Sequence, residues 1–501
     1  RSPTMPELNT DTYAAIDLGS NSFHMIVARH SDDRLVVIDK IKDMVQLAAG
    51  LSEDRMLSDE AIDRGISCLE KFGQRIHELP RQNIRAVGTN TLRQARNATL
   101  FLSRARQALG HNIEIIAGRE EARLIYVGVA NNMFNDTDKR LVVDIGGGST
   151  EVIIGKGFEP ILTESLYMGC VSMTRRFFSD GEITAKKMRK AVVYARQELE
   201  STENIYKQEG WQQAIGSSGT VIAIHDVVTQ QGWSDAGMTH ESLETLMQEL
   251  AKTGNISKLK FSGLSERRTP IFVGGTMILY AIFEALGIDR MVISEGALRE
   301  GLVYDLIGRA QDQDIRDRTV DTMIQQYHVD SEHINRVSKT AHTLYKQLRE
   351  SCDLNEQDNK LIRWAVSLYP IGLRIAHSQY QKHGEYLVRN SDMPGFSRQE
   401  QALVATLIRY HRRKLWSDDS RLQLEESAEK IRCLCLIVRL AILLNRSRSQ
   451  SPMPEFTITR KDKTVHLRFP ENWLAEKPLT EADLGTEADY LKTIDIKLEY
   501  E

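Results

Sequence analysis

The 501-residue chain has little net charge, few cysteines and no uncharged apolar run of about 18 residues or more, and each shortage removes a class of protein. Its 65 basic and 69 acidic side chains leave a formal charge of -4, so the summed field neither draws in nor repels a polyanion. Any polyanion must be met by a local patch, and no sequence-specific nucleic-acid reader is expected. Five cysteines, Cys68, Cys170, Cys352, Cys433 and Cys435, are too sparse and irregularly spaced for a disulfide framework or a paired metal-ligand motif. A reducing, cytoplasmic setting fits that usage. The opening stretch from Arg1 to Thr12 is polar and lacks the apolar core of a secretory leader. The run from Cys433 to Val438 meets Arg439 before resuming at Leu440 to Leu444, too short and too charged to span a bilayer. It reads as a buried helix, so no integral membrane segment is expected and only a peripheral membrane contact is left open.

What is present is apolar material, 41% of the residues, enough for several cores. Length alone suggests about three or four domains. The most informative feature is a repeat. Ile16-Asp17-Leu18-Gly19-Ser20-Asn21-Ser22 leads into Phe23 to Val27, and Val143-Asp144-Ile145-Gly146-Gly147-Gly148-Ser149-Thr150-Glu151 leads into Val152 to Ile154. Each copy is an apolar strand ending in Asp, a turn of small residues and a second apolar strand, the pattern of a β-hairpin. Glycines let a backbone approach a ligand, and successive turn amides form a concavity for phosphate oxygens. Ser20, Ser22, Ser149 and Thr150 add hydroxyls, and the Asp before each turn is placed to hold Mg²⁺ directly or through water. One Asp-Gly turn is an ordinary hairpin; two matched copies argue for duplicated architecture. Neither is a Walker A loop, since no Gly-Lys-Ser/Thr follows, and neither is a Rossmann fingerprint, since a strand follows. The pattern resembles the duplicated nucleotidase core of actin, sugar kinases and 70-kDa chaperones.

Other segments leave alternatives open. Val87 to Asn97 reads as a strand end entering a helix near Thr89 or Asn90, where Arg93 either grips phosphate or, like Arg96, is a solvated charge. Gly118-Arg119-Glu120-Glu121 opens another helix, and at about 100° per residue only one of the two glutamates can face a site. Both acids are otherwise explained as complements of the helix dipole. Ile215 to Val221 is either a third phosphate turn or a tight strand-helix connection capped by Ser. Val292 to Gly301 has the same grammar, with Arg299 or Glu295 as candidates for the same cleft.

Ala15 to His24, Thr91-Leu92-Arg93, Gly118 to Arg123, Asp144 to Glu151 and Glu295 to Gly301 together resemble the bacterial exopolyphosphatase and guanosine pentaphosphate phosphohydrolase family, over nearly the whole chain. Met168 to Val171 and Asp312 to Arg318 are similar to its long bacterial form. The resemblance implies an α/β fold of two duplicated actin-like (ribonuclease H-like) domains, 1–125 and 126–311, then a helical HD-like domain without its metal site, 312–450, and a small α+β domain, 451–501. It implies release of a terminal phosphate by water in the cleft between the first two domains. Glu121 would be the base; Asp17, Asp144 and Glu151 would hold Mg²⁺, with Mn²⁺ served by the same oxygen donors. Asn21, Ser22, Arg93, Gly146, Gly147, Gly148, Ser149, Thr150 and Gly219 would contact phosphate. A homodimer is also implied. The triple-glycine turn and Thr89 to Gln94 look closer to exopolyphosphatases, which ranks inorganic polyphosphate first and guanosine pentaphosphate, the precursor of the stringent-response nucleotide ppGpp, second. A non-catalytic polyphosphate or nucleotide sensor is the rival, against which the retained Glu121, Asp144 and Glu151 argue. A sugar or small-acid kinase would need an acceptor site that no feature identifies.

The second half reads as amphipathic helices, Ile334 to Leu348 and Leu361 to Ile375 among them. Tyr369-Pro370 stands where an HD-type domain places metal ligands, and His342, His377, His383 and His411 read as packed or solvated side chains. Arg409, Arg412, Arg413, Lys414, Arg432 and Arg439 form either a solvated basic face or a polyanion channel. Strands are expected at Phe456 to Thr459, Thr464 to Phe469 and near Ile494 to Leu498.

Overall fold

The computed structural model describes residues 11–501 except Asp33, 134–137, Asp312, Ser420, Arg421 and Gln423. The chain divides into two compact units that meet between Gln313 and Asp314. The opening residues 1–10 and the expected domain start at Asp312 lie outside the described residues.

The first unit holds two sheets built on one plan. In the first, β1 (Thr12–Leu18), β2 (Phe23–Ser31), β3 (Arg34–Asp43), β4 (Ile84–Gly88) and β5 (Ile113–Ile115) lie in the order β3-β2-β1-β4-β5. In the second, β6 (Lys139–Ile145), β7 (Thr150–Lys156), β8 (Glu159–Leu166), β9 (Gln213–Ser217), β10 (Met238–Thr239) and β11 (Arg290–Ile293) lie in the order β8-β7-β6-β9-β11-β10. Each sheet is an antiparallel three-strand meander whose first strand pairs in parallel with a later strand. This is the duplicated actin-like arrangement. The inner strands are apolar on both faces because both are covered; Leu141, Val142 and Val143 are wholly buried. The edge strand β3 instead alternates and carries Asp39, Lys40 and Lys42, charges that discourage further pairing.

Two helices exchange sheets. Gly118–Ala130 follows the first sheet but packs on β7 and β8, while Leu298–Ala310 follows the second sheet but packs on β1 and β4. They cross at glycines: a Cβ on Gly128 would lie 1.9 Å from the Ala297 carbonyl oxygen, and one on Gly301 1.8 Å from that of Leu124. A buried ion cluster pins the crossing. Asp305 accepts from Arg85 of β4 at 2.6 Å and from Arg123 at 2.9 Å, and Arg123 also pairs with Glu120 at 2.6 Å. Those guanidinium groups, with Arg309, overcome burial and hold the Asp305 carboxyl below its ordinary range. The expected boundary at 125/126 falls inside the first of these helices, because the helix is shared by both sheets. Thr269–Leu286 is a helix long and apolar enough to cross a membrane, but it is buried in the core of the second sheet.

The second unit is helical, closed by a three-stranded sheet of β12 (Thr457–Lys461), β13 (Thr464–Arg468) and β14 (Lys497–Tyr500). Ile458, Val465 and Leu467 of this sheet share one core with Val337, Leu344 and Trp364 of the helices, so the tail does not stand apart. At roughly 1.5–3 kcal/mol for each fully buried large apolar side chain, that shared core binds the tail to the helices. The expected helix through Ile375 stops at Leu368, because Pro370 removes a donor, and a 3₁₀ turn, Tyr369–Arg374, follows. The last strand lies slightly beyond its expected place. Cys433 to Ala441 is buried, within the Ala428–Leu444 helix.

Candidate active site

The two hairpin turns face each other. Both close the same way, Gly19 N–H donating to Ser22 O at 3.2 Å and Gly146 N–H to Ser149 O at 2.9 Å. A Cβ on Gly147 would come within 3.0 Å of the Ser20 Cβ, and one on Gly148 within 2.1 Å of Asn90 Nδ2. Glycine is therefore needed in the second turn for contact with the first turn and with the Asn90–Gln94 helix. The turns are held from behind: the amides of Gln46 and Ala48 donate to Asn21 O and Ser20 O, and those of Cys170 and Val171 to Gly146 O and Gly147 O. Thr91 donates its hydroxyl to Ser20 Oγ at 2.8 Å.

Carboxylates gather beside the turns. Asp17 and Asp144 are each the penultimate residue of a strand, and cross-strand register puts Glu151 opposite Asp144. Asp144 accepts from Ser217 Oγ at 2.8 Å, and Glu151 from Ser165 Oγ at 2.8 Å. Glu121 is buried and held by Arg93 Nη1 at 2.8 Å, and the same nitrogen donates to Ile116 O at 2.9 Å. Burial, joined by Glu121 and Asp144 and opposed by Arg299 and Arg93, raises Asp17 to about 7. Asp144 is raised to about 6, again mainly by burial, with its Ser217 hydrogen bond opposing. Glu151 is raised well above the carboxylate range by burial and by the charges of Glu121 and Asp144. Four acids thus share one desolvated field.

That field fits a divalent cation. Asp17 Oδ1 is buried without a hydrogen-bond partner, and like charges crowd around it. Among the described residues no three His, Cys, Asp or Glu side chains converge as a complete ligand set, so phosphate and water oxygens would have to complete the coordination.

Beside Asp17 lies a basic group. His24, paired in register with Asp17, hydrogen-bonds Ser22 Oγ through Nε2 at 2.8 Å. Burial, then Arg299, Lys42 and Arg268, push His24 down to about 2, so it is neutral. Burial against the protein, then Arg268, Arg299 and Arg267, lower Lys42 to about 8. Arg299 Nε is buried without a partner.

The structure brings Asp17, Asn21, Ser22, Arg93, Glu121, Gly146, Gly147, Gly148, Ser149, Asp144 and Glu151 into this neighbourhood and corrects two assignments. The Thr150 hydroxyl is fully buried and donates to Met168 O at 2.7 Å, because Thr150 already belongs to β7 and points into the sheet's cover. Gly219 provides room: its Cβ would lie 1.8 Å from Arg268 Nη2. The adjacent Ser218 has φ 76, a costly conformation for a side-chain-bearing residue, and donates to Ile145 O at 3.0 Å. Of the later pair, Arg299 reaches the cleft through its field on Asp17 and Asp144, whereas Glu295 is exposed. Sequence reasoning missed Ser165, Arg268 and Lys42. Ser165 lies on a strand without any motif, and Arg267-Arg268 reads as an unremarkable helix entry.

The basic residues of the second unit do not act as one set. Arg439 is buried and spent, donating to Tyr410 O, to Arg413 O at 2.9 Å and to Glu487 at 3.0 Å. It is a core tie, so its place in a polyanion channel is withdrawn. Arg432 pairs with Asp419 at 2.7 Å and Arg409 with Glu385 at 3.5 Å; Arg412 lies over the Tyr380 ring, while Arg413 and Lys414 are exposed. His411 is buried between Tyr369 and Tyr380, His342 and His377 are exposed, and His383 is half-buried. A cavity of about 1000 Å³ in this unit, lined by Arg336, Gln347, Phe456 and Phe469 among others, contains none of the acids described above.

Comparison with known proteins agrees with this geometry. Residues 26–310 match the Ppx/GppA phosphatase family, and residues 315–488 match Ppx/GppA phosphatase, domain III. The chain is 41% identical over 478 residues, 95% of each chain, to a guanosine-5'-triphosphate,3'-diphosphate pyrophosphatase of Vibrio atlanticus (strain LGP32). It is 40% identical over 481 residues, 95% of this chain and 96% of the relative, to the like-named protein of Pseudoalteromonas translucida (strain TAC 125). Among solved structures it is similar to the Aquifex aeolicus PPX-GPPA enzyme, with TM-score 0.51, 26% identity, and coverage of 58% of this chain and 99% of that one.

Proposed function

We propose that this chain, which belongs to the Ppx/GppA phosphatase family, removes the terminal 5′ phosphate of guanosine pentaphosphate to give ppGpp. It is a phosphoanhydride hydrolase. The observation that carries the substrate is the likeness at about 40% identity, along almost their full length, to relatives named for that nucleotide. This reverses the ranking read from the triple-glycine turn, which put polyphosphate first.

Phosphoryl transfer needs positioning and charge stabilisation more than covalent chemistry. Glu121, oriented by Arg93, accepts a proton from water as the water oxygen attacks the terminal phosphorus. The anhydride P–O bond breaks and ppGpp departs with the bridging oxygen. Amides of the Ser20-Asn21 and Gly147-Gly148-Ser149 turns meet the phosphate oxygens on which charge redistributes. Asp17, Asp144 and Glu151 would hold a divalent cation, Mg²⁺ in our assignment, in part through water and together with phosphate oxygens, and when bound it neutralises phosphate charge. Ser217 and Ser165 keep two of those carboxylates aimed. Lys42, Arg268 and Arg299 supply positive charge for phosphates beyond the reacting one.

The test is phosphate release from guanosine pentaphosphate and from long-chain polyphosphate, with Mg²⁺ and with chelator, for wild type and Glu121→Gln. Metal-dependent release favouring the nucleotide, with kcat lowered about 10³-fold by the substitution and binding retained, is expected. Faster turnover of polyphosphate would replace the substrate assignment. Binding without release in the wild type would make the protein a sensor.

A further inference from the structure

The five cysteines are all free, yet two of them are unlike the rest. Cys352 follows the Ser331–Leu348 helix and Cys433 lies in Ala428–Leu444, and Arg460 of β12 brings them to one point. Its Nη1 donates to Cys433 Sγ at 3.1 Å, to Cys352 Sγ at 3.5 Å and to Ser351 O at 3.3 Å. Its Nε donates to Asp462 O at 3.0 Å, and its other amino group pairs with Glu429. The guanidinium therefore clamps the Ser351-Cys352 connection, the later helix and the strand turn together, with both sulfurs on one face. We propose that Cys352 and Cys433 form an oxidisable dithiol, a modification site at which hydrogen peroxide converts the two thiols to a disulfide.

The chemistry requires a thiolate to attack and a second thiol to resolve. A hydrogen bond from Cys433, and then the Arg460 charge, bring Cys352 down to about 7 against the effect of burial. Cys352, flanked by the exposed Ser351 and Asp353, is the sulfur a peroxide reaches first and therefore attacks, and the more deeply buried Cys433 resolves. Burial raises Cys68 and Cys435 to about 12 and also raises Cys170, so those three stay as unreactive thiols. The Cys352 thiolate attacks one peroxide oxygen and the O–O bond breaks. Hydroxide leaves, takes up a proton as water, and Cys352 becomes a sulfenic acid. Cys433 sulfur then attacks Cys352 sulfur, the S–O bond breaks, and the hydroxyl departs as water with the Cys433 proton. Two thiols and one peroxide give one disulfide and two waters. Access is short, since Cys352 lies just beneath the exposed Ser351 and Asp353.

The experiment treats the native full chain with hydrogen peroxide, blocks remaining thiols and maps peptides without reduction. The expected result is a linked Cys352–Cys433 peptide, a fall in titratable thiols from five to three, and reversal by dithiothreitol. Cys433→Ser should leave Cys352 as a sulfenic acid captured by dimedone, while the wild type gives little adduct. Arg460→Met should slow linkage about tenfold. The proposal fails if no linked peptide forms, if Cys68, Cys170 or Cys435 oxidises as fast, or if wild type and Cys433→Ser yield equal dimedone adduct.

Discussion

The two hairpins share a backbone plan and differ in what stands beside each aspartate. Across the hairpin, Asp17 faces His24 and Asp144 faces Glu151; along the parallel neighbour, Asp17 faces Val87 and Asp144 faces Ser217. Residues in register lie on the same face, so these pairs decide local charge and hydrogen bonding. Ser217 satisfies Asp144, whereas Val87 cannot satisfy Asp17, whose Oδ1 is left unpartnered. Both hairpins thus contribute an aspartate to one acidic field, the second adds Glu151 to it, and the first also borders a basic cluster through His24. A duplicated scaffold can keep its turn geometry and divide a reaction between its halves by changing cross-strand neighbours.

Breaking the two cross-strand partners tests that division most sharply. Glu151→Gln should lower kcat about 10³-fold, with loss of metal dependence, because it removes a carboxylate from the cation field. His24→Gln, at the equivalent position, should act mainly on KM, by about tenfold, since a neutral group is exchanged beside the basic cluster. Equal losses of kcat in steady-state assays would dissolve the distinction. The clasp that joins the two sheets comes next: Asp305→Ala should destabilise the fold by about 3–5 kcal/mol in denaturant titration, since Arg85 would be left buried and unpaired and Arg123 held by Glu120 alone. In the second turn, Gly148→Ala should lose about 10²-fold in kcat/KM by colliding with Asn90, and the added Asn90→Ala should recover part of that loss.

The smallest effect concerns pH. Asp17 and Asp144 are raised above the ordinary carboxylate range, to about 7 and about 6, so the metal-free protein holds their protons more tightly folded than unfolded. Their contribution is fully present below the unfolded values near 4 and is lost as pH rises through the folded ones. Mg²⁺ should therefore raise Tm more at about pH 8 than at about pH 5, because the cation takes over from the protons. Val87→Ser should move the midpoint of this dependence downward by giving Asp17 the partner that Asp144 already has. A metal-induced Tm shift independent of pH would contradict the shared cation site.

Much of the site was legible because its residues are local to a turn. Asp17 to Ser22 and Asp144 to Ser149 carry spacing and chemistry within a few positions, and the repeat removed the ambiguity of either copy alone. Thr150 was misread for the same reason: proximity to the turn does not say which face of β7 a side chain takes. Arg439 was misread because a basic residue on an apolar helix looks like a surface charge until Glu487 is seen beside it. Ser165, Arg268 and Lys42 belong to no motif and reach the cleft through strand register and helix entry.

By itself the sequence determined the duplicated hairpins, the phosphoanhydride-hydrolase class and the helical second half, since turn composition and apolar periodicity are properties of neighbouring residues. Only the tertiary structure decided that Arg93 holds Glu121, that Asp17 lacks a partner while Asp144 has one, that two helices exchange sheets, and that Cys352 and Cys433 share Arg460. Those are relations between residues far apart in the chain, and burial sets their strength by removing the water that would otherwise screen them.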